Sequence, residues 1–116
     1  MKLEEINEQI FKYKILENEN PTLLLLATNT NATSFLNELV IHRVLDSMQK
    51  PVDGYKIFLK DKLLTLDNIE YSFFEVPMIL FYNKGKLLEI FKGVLNREKL
   101  ISLIDKYITN YEINNN

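Results

Sequence analysis

The residue pattern predicts an α/β domain. It has a mixed four-stranded sheet, built as a β-α-β unit followed by β-β-α, flanked by helices and preceded by an N-terminal helix. Three observations carry this reading. Thr22–Ala27 is a continuous apolar run bounded by polar residues, the pattern of a strand covered on both faces. Two stretches, one from Phe35 to Met48 and one from Leu100 to Tyr111, repeat apolar residues at helical spacing. Met78–Tyr82 and Leu87–Phe91 are apolar runs joined by Asn83-Lys84-Gly85-Lys86, where the glycine can supply the positive φ of a hairpin turn.

The elements follow in order. Residues 3–17 read as a helix, with Leu3, Ile6, Ile10, Phe11 and Ile15 on one stripe and Glu4, Glu5, Glu8 and Lys12 between them. Pro21 ends the linker Asn18-Glu19-Asn20, and the buried strand Thr22–Ala27 starts there. Thr28–Ser34 is a polar turn in which Thr33 or Ser34 can cap the next helix with a side-chain oxygen. That helix carries Phe35, Leu36, Leu39, Val40, Val44, Leu45 and Met48 as its apolar stripe. Pro51 and Gly54 break the chain before a strand at Tyr55–Leu59. Leu64–Phe74 reads as a weaker helix. The hairpin follows, then Gly93, then Asn96 as the cap of a terminal amphipathic helix. A β-α-β unit takes a right-handed crossover and so makes its two strands parallel.

Composition limits the chemistry. The chain has 116 residues, 14 Lys+Arg against 16 Asp+Glu, one histidine and no cysteine. This length predicts a single domain over residues 1–110, with 111–116 as an asparagine-rich tail. A net charge of −2 argues against nucleic-acid binding, which calls for a basic excess. Without cysteine there is no disulfide, thiolate, iron–sulfur cluster or cysteine zinc site. One histidine leaves little for a metal centre, and no cofactor is expected. The acidic N-terminus is not that of a signal peptide. The Leu23–Leu26 run is too short to span a bilayer, which takes ~20 apolar residues. A cytoplasmic protein with no membrane association is the expectation.

One family resemblance emerges from these residues. Glu75-Val76-Pro77-Met78-Ile79-Leu80-Phe81-Tyr82-Asn83-Lys84-Gly85-Lys86, then Phe91-Lys92-Gly93-Val94-Leu95 and a terminal amphipathic helix, resembles the second half of thioredoxins. The resemblance extends over roughly residues 5–109 and implies a thioredoxin fold with a cis bond at Val76–Pro77. A short N-terminal strand common in that family is not evident. Carried back to the first βα turn, the resemblance lays Leu26-Ala27-Thr28-Asn29-Thr30-Asn31-Ala32-Thr33 over the family's Trp-Ala-x-Trp-Cys-Gly-Pro-Cys. The two redox cysteines fall on Thr30 and Thr33, the family's buried acid on Leu24, its tryptophan on Asn29 and its helix-kinking proline on Glu38. Disulfide exchange requires a thiolate, so the resemblance implies a redox-inactive relative and not an enzyme of that kind.

The candidate groove implied by the resemblance comprises Thr30, Asn31, Val76, Pro77, Gly93 and Val94. It would take an extended protein or peptide segment by strand-like hydrogen bonds. The bland alternative is turn and cap chemistry at Thr30 and Thr33, with Pro77 kept for the fold alone. A second copy of the chain is a further candidate partner, with Phe73 and Phe74 and the second helix as the competing surface. Two other functions stand beside a binding module: a thioredoxin-like member of a redox system acting as scaffold, and a cysteine-independent enzyme on the same fold. His42 reads as a partly exposed helix residue. Asn31-Ala32-Thr33 matches a glycosylation sequon, read as chance without a signal peptide. Asp61, Asp67, Glu70 and Glu75 show no metal or acid–base spacing.

Overall fold

The computed structural model describes residues 3–49 and 51–109. Its centre is a mixed five-stranded sheet in the order β1-β3-β2-β6-β7. The strands are β1 (Glu4–Glu5), β2 (Thr22–Ala27), β3 (Asp53–Phe58), β6 (Met78–Asn83) and β7 (Lys86–Lys92). A separate two-stranded hairpin comprises β4 (Leu63–Leu66) and β5 (Ile69–Ser72). The helices are α1 (Glu8–Phe11), α2 (Ala32–Ser47) and α3 (Arg97–Ile104). Both α1 and α3 run on into π-helical turns, Lys12–Leu16 and Asp105–Thr109. β2 pairs parallel with β3 and antiparallel with β6, and β6 and β7 form an antiparallel hairpin.

β2 shows why a continuous apolar run becomes a central strand. Its side chains alternate between two apolar layers. Leu23, Leu25 and Ala27 face the layer filled by α2 and α3, with Ile41, Val44, Leu100 and Ile104. Leu24 and Leu26 face the layer filled by the α1 segment and the β4–β5 hairpin, with Phe11, Ile15, Leu64 and Tyr71. Each fully buried leucine is stabilised by about 1.5–3 kcal/mol relative to exposure, which makes either face of β2 costly to uncover. Helices therefore cover both sides of the sheet, with the hairpin assisting on one.

The structure corrects the reading from sequence in five places. The main sheet has five strands, not four. The fifth is β1, parallel to β3 through Glu4↔Tyr55 and Glu5↔Lys56. A two-residue strand is too short to leave a periodic signal, and the following helix begins only at Glu8, capped by Asn7 Oδ1 accepting from the Ile10 N–H at 3.1 Å. The predicted helix over Leu64–Phe74 is the β4–β5 hairpin. Asp67 and Asn68 both take positive φ, 51° and 66°, as a two-residue primed turn requires. Asp and Asn enter that region more readily than other L residues. Leu64, Leu66 and Tyr71 then face the core.

α2 is capped by Asn31, not by Thr33 or Ser34. Its side-chain oxygen accepts from the Thr33 and Ser34 N–H groups at 2.8 and 3.3 Å. The buried stripe of α2 is also turned relative to expectation: Ser34, Asn37, Ile41, Val44 and Leu45 point inward. Phe35 and Leu36 are exposed. Two polar residues occupy core positions because each has a backbone partner to satisfy. The Lys84-Gly85 turn, with φ of 54° and 77°, and the Asn96 cap, which accepts from the Lys99 N–H at 2.8 Å, form as the sequence predicts. Tyr111 and the tail at 111–116 lie outside the described residues. Among the described residues, no helix is long and apolar enough to cross a membrane.

Candidate functional site

Three chain segments converge at one end of the sheet, joined by hydrogen bonds. The first is the opening of α2. The second is the single 3₁₀ turn Phe73–Glu75 with Val76 and Pro77 after it. The third is the loop Gly93–Asn96 between β7 and α3. Asn37, wholly buried, reaches from α2 to the third segment. Its Nδ2 donates to the Gly93 carbonyl at 2.7 Å, and its Oδ1 accepts from the Leu95 N–H at 2.9 Å. The Gly93 N–H in turn donates to the Pro77 carbonyl at 3.1 Å. Lys92 and Glu75 form an ion pair linking the second segment to the end of β7, just before the third.

Within this frame, the residues singled out from sequence fall as follows. Thr30 is exposed in the turn before α2, and Thr33 is half-buried in its first turn. The side-chain oxygen of Asn31 is occupied by the cap, so this residue is a structural anchor of the loop. The Val76–Pro77 bond is cis, as the resemblance implies. Val76 and Pro77 are buried, and Val76 packs into the layer with Met78 and Tyr71. Neither therefore offers an exposed side chain to a ligand. Gly93 takes φ of 98°, and Val94 stands out at 71% exposure. Leu36 at 52% and Phe74 at 79% add to the exposed apolar surface at this end. Phe73 is turned partly inward against the core, edge-on to Phe74 with ring centroids 5.8 Å apart.

Asn37 is the residue that sequence reasoning passed over. Its signal was present: it lies four residues before Ile41 and three after Ser34, on the buried stripe. A polar residue at such a position needs partners, and here the partners are backbone groups of the Gly93–Asn96 loop.

A second feature lies beside the start of α2. A depression of about 290 Å³ is lined by Asn29, Asn31, Phe35, Glu38, Lys56 and Phe58 among others. Lys56 Nζ sits 2.7 Å from Glu38 Oε2 and 5.2 Å from the centroid of the Phe58 ring. An ion pair thus forms part of the wall of this depression. Glu38 takes part in this pair from the middle of an unbroken helix. His42 is half-buried on the same helix. Among the described residues, no group of three or more His, Cys, Asp or Glu side chains is placed to hold a metal ion.

No protein-family model matches this chain, and no curated protein matches it.

Proposed function

We propose that the chain is a thioredoxin-like domain, redox-inactive because Thr30 and Thr33 stand where the family has cysteines, and that it binds an extended protein or peptide segment. The observation that carries this reading is the Asn37 clamp. It gathers the α2 opening, the Gly93–Leu95 loop and, through Gly93, the Pro77 segment into one surface. Those are the three segments that the resemblance assigns to the groove. The strand order, with a parallel β2–β3 pair and an antiparallel β6–β7 hairpin, supports the fold part of the proposal.

The rim differs from the six residues named from sequence. Leu36 and Val94 are both exposed; Asn37 follows the first in the chain and hydrogen-bonds on both sides of the second. They offer apolar contact, while Val76 contributes backbone. Loops held on a rigid sheet are the usual place for binding.

The test is selection of extended peptides from a random library on the immobilised full chain, followed by affinity measurement on variants. Val94→Asp should weaken a selected peptide at least tenfold, about 1.4 kcal/mol, with an unchanged melting curve because Val94 is exposed. Insulin reduction with dithiothreitol should run at the rate of the protein-free blank. Peptides indifferent to both Val94→Asp and Leu36→Asp, or insulin turnover above the blank, would refute the proposal.

A further inference from the structure

β7 ends the five-stranded sheet, and among the described residues no strand pairs with its outer edge. Which backbone groups lie on that edge follows from the pairing. Antiparallel pairs alternate between bonded and non-bonded. Just past the strand, the Gly93 N–H donates to the Pro77 carbonyl, so that pair is bonded. Met78↔Lys92 is then non-bonded, Ile79↔Phe91 bonded and Leu80↔Ile90 non-bonded. Ile90 and Lys92 therefore turn their N–H and C=O groups outward, where another strand would add. Such an edge is a template for pairing with a second chain.

One of these outward groups is already occupied. The Ile90 N–H donates to Oε1 of its own neighbour, Glu89, at 2.8 Å. A bulge lies beside it: the register shifts between Phe81, opposite Glu89, and Tyr82, opposite Leu87, so Leu88 has no partner. Bulges and charged side chains are how natural sheets blunt their edges.

We propose that Glu89 holds the outer edge of β7 closed, and that without its side-chain acceptor oxygen this edge pairs antiparallel with β7 of a second copy of the chain. The register is dictated by the outward groups. A two-fold axis through Phe91 sets Ile90 of each copy against Lys92 of the other and makes four backbone hydrogen bonds. Phe91 then meets Phe91 at the close, non-bonded position, where aromatic pairs contribute most. In this register Glu89 faces Gly93, and no like charges stand opposite one another. An axis through Glu89 would set carboxylate against carboxylate. The self-complementary pattern from Glu89 to Gly93 is what identifies the second copy as the partner.

Sedimentation equilibrium on the full chain tests the proposal. Glu89→Ala should associate at least tenfold more tightly than the wild type. Glu89→Gln, which keeps an acceptor oxygen, should stay near wild type. Adding Lys92→Pro to Glu89→Ala removes an outward N–H and should return the chain to wild-type association. Unchanged association of Glu89→Ala would overturn the proposal, and so would a dimer indifferent to Lys92→Pro. Amide exchange in the wild type reads the cap without any variant: the Ile90 amide should be protected, and exchange at the rate of an open amide would equally overturn it.

Discussion

Replacing Asn37 with alanine should cost about 2–4 kcal/mol of stability. The figure follows from what the side chain leaves behind. Asn37 is wholly buried, and its two hydrogen bonds span 56 and 58 residues of chain. Truncation orphans the Leu95 N–H, which lies in a buried residue out of reach of water. A buried donor without a partner costs roughly 1–3 kcal/mol. The Gly93 carbonyl belongs to a half-buried residue and can recover solvent, so its loss is the smaller share. A small cavity adds to the sum. For a domain of this size ~1 kcal/mol moves the melting temperature by about 4 °C, so the expected drop is about 8–16 °C. Urea denaturation followed by circular dichroism gives the free energy directly. Asn37→Asp divides the two bonds: the carboxylate still accepts from Leu95 but cannot donate to Gly93, and only the protonated acid can do both. That variant should gain stability as pH falls, where the wild type does not gain in the same way. A loss below about 0.5 kcal/mol in Asn37→Ala would refute the reasoning, since it would mean that the loop is held by its packing alone.

Two further outcomes follow from the backbone and the buried phenols. Gly85 takes φ of 77° in the β6–β7 turn, and a Cβ there would be driven into the Leu16 carbonyl oxygen; Gly85→Ala should lose ~2 kcal/mol or more in a urea titration, and a variant of wild-type stability would contradict the turn. Burial raises the pKa of Tyr82, with Tyr71 and Asp67 adding to the effect, and burial likewise raises Tyr71. The folded chain therefore keeps phenol protons that the unfolded chain gives up above its ordinary value near 10. These phenols contribute stability that is full below about pH 10 and lost as pH rises through the folded values. Melting temperatures followed from about pH 8 to about pH 12 should fall at the alkaline end, less steeply in Tyr82→Phe; a flat profile would refute the assignment.

How much of this was legible in the sequence depends on segment length and on partners. The long elements were readable because their patterns repeat: β2 by its unbroken leucines, α3 by its stripe and Asn96 cap, β6–β7 by the glycine turn. β1 was not, because two residues cannot display a period. Leu64–Phe74 reads as a helix because Leu64 and Tyr71 stand seven apart, a helical repeat, although Leu66 would fall on the opposite side of that helix and fits only a strand alternation. The left-handed backbone at Asp67 and Asn68 then turns the segment into a hairpin. The segments that meet beside the start of α2 are readable through Pro77 and Gly93. Their clamp was not, because a lone asparagine among apolar residues does not say which backbone groups, far along the chain, it will serve. The sequence puts Val76 on the rim, whereas its burial depends on the β4–β5 hairpin, which the same residues suggest as a helix.

The position of β2 also shapes how this chain emerges from a ribosome. Thr22–Ala27 is made early, and its first sheet partner, β3, follows after α2. Its other partner, β6, appears only after the whole β4–β5 insertion has been synthesised. At roughly 5–20 residues per second, a nascent chain that has completed β3 spends on the order of a second or more with one edge of four consecutive leucines unpaired. During that interval Leu23–Leu26 has the makings of an adhesive segment: apolar, uncharged and extended. Synonymous codons that slow translation while β2 is outside the ribosome and β6 is still inside it should therefore lower the yield of folded protein without altering a single side chain.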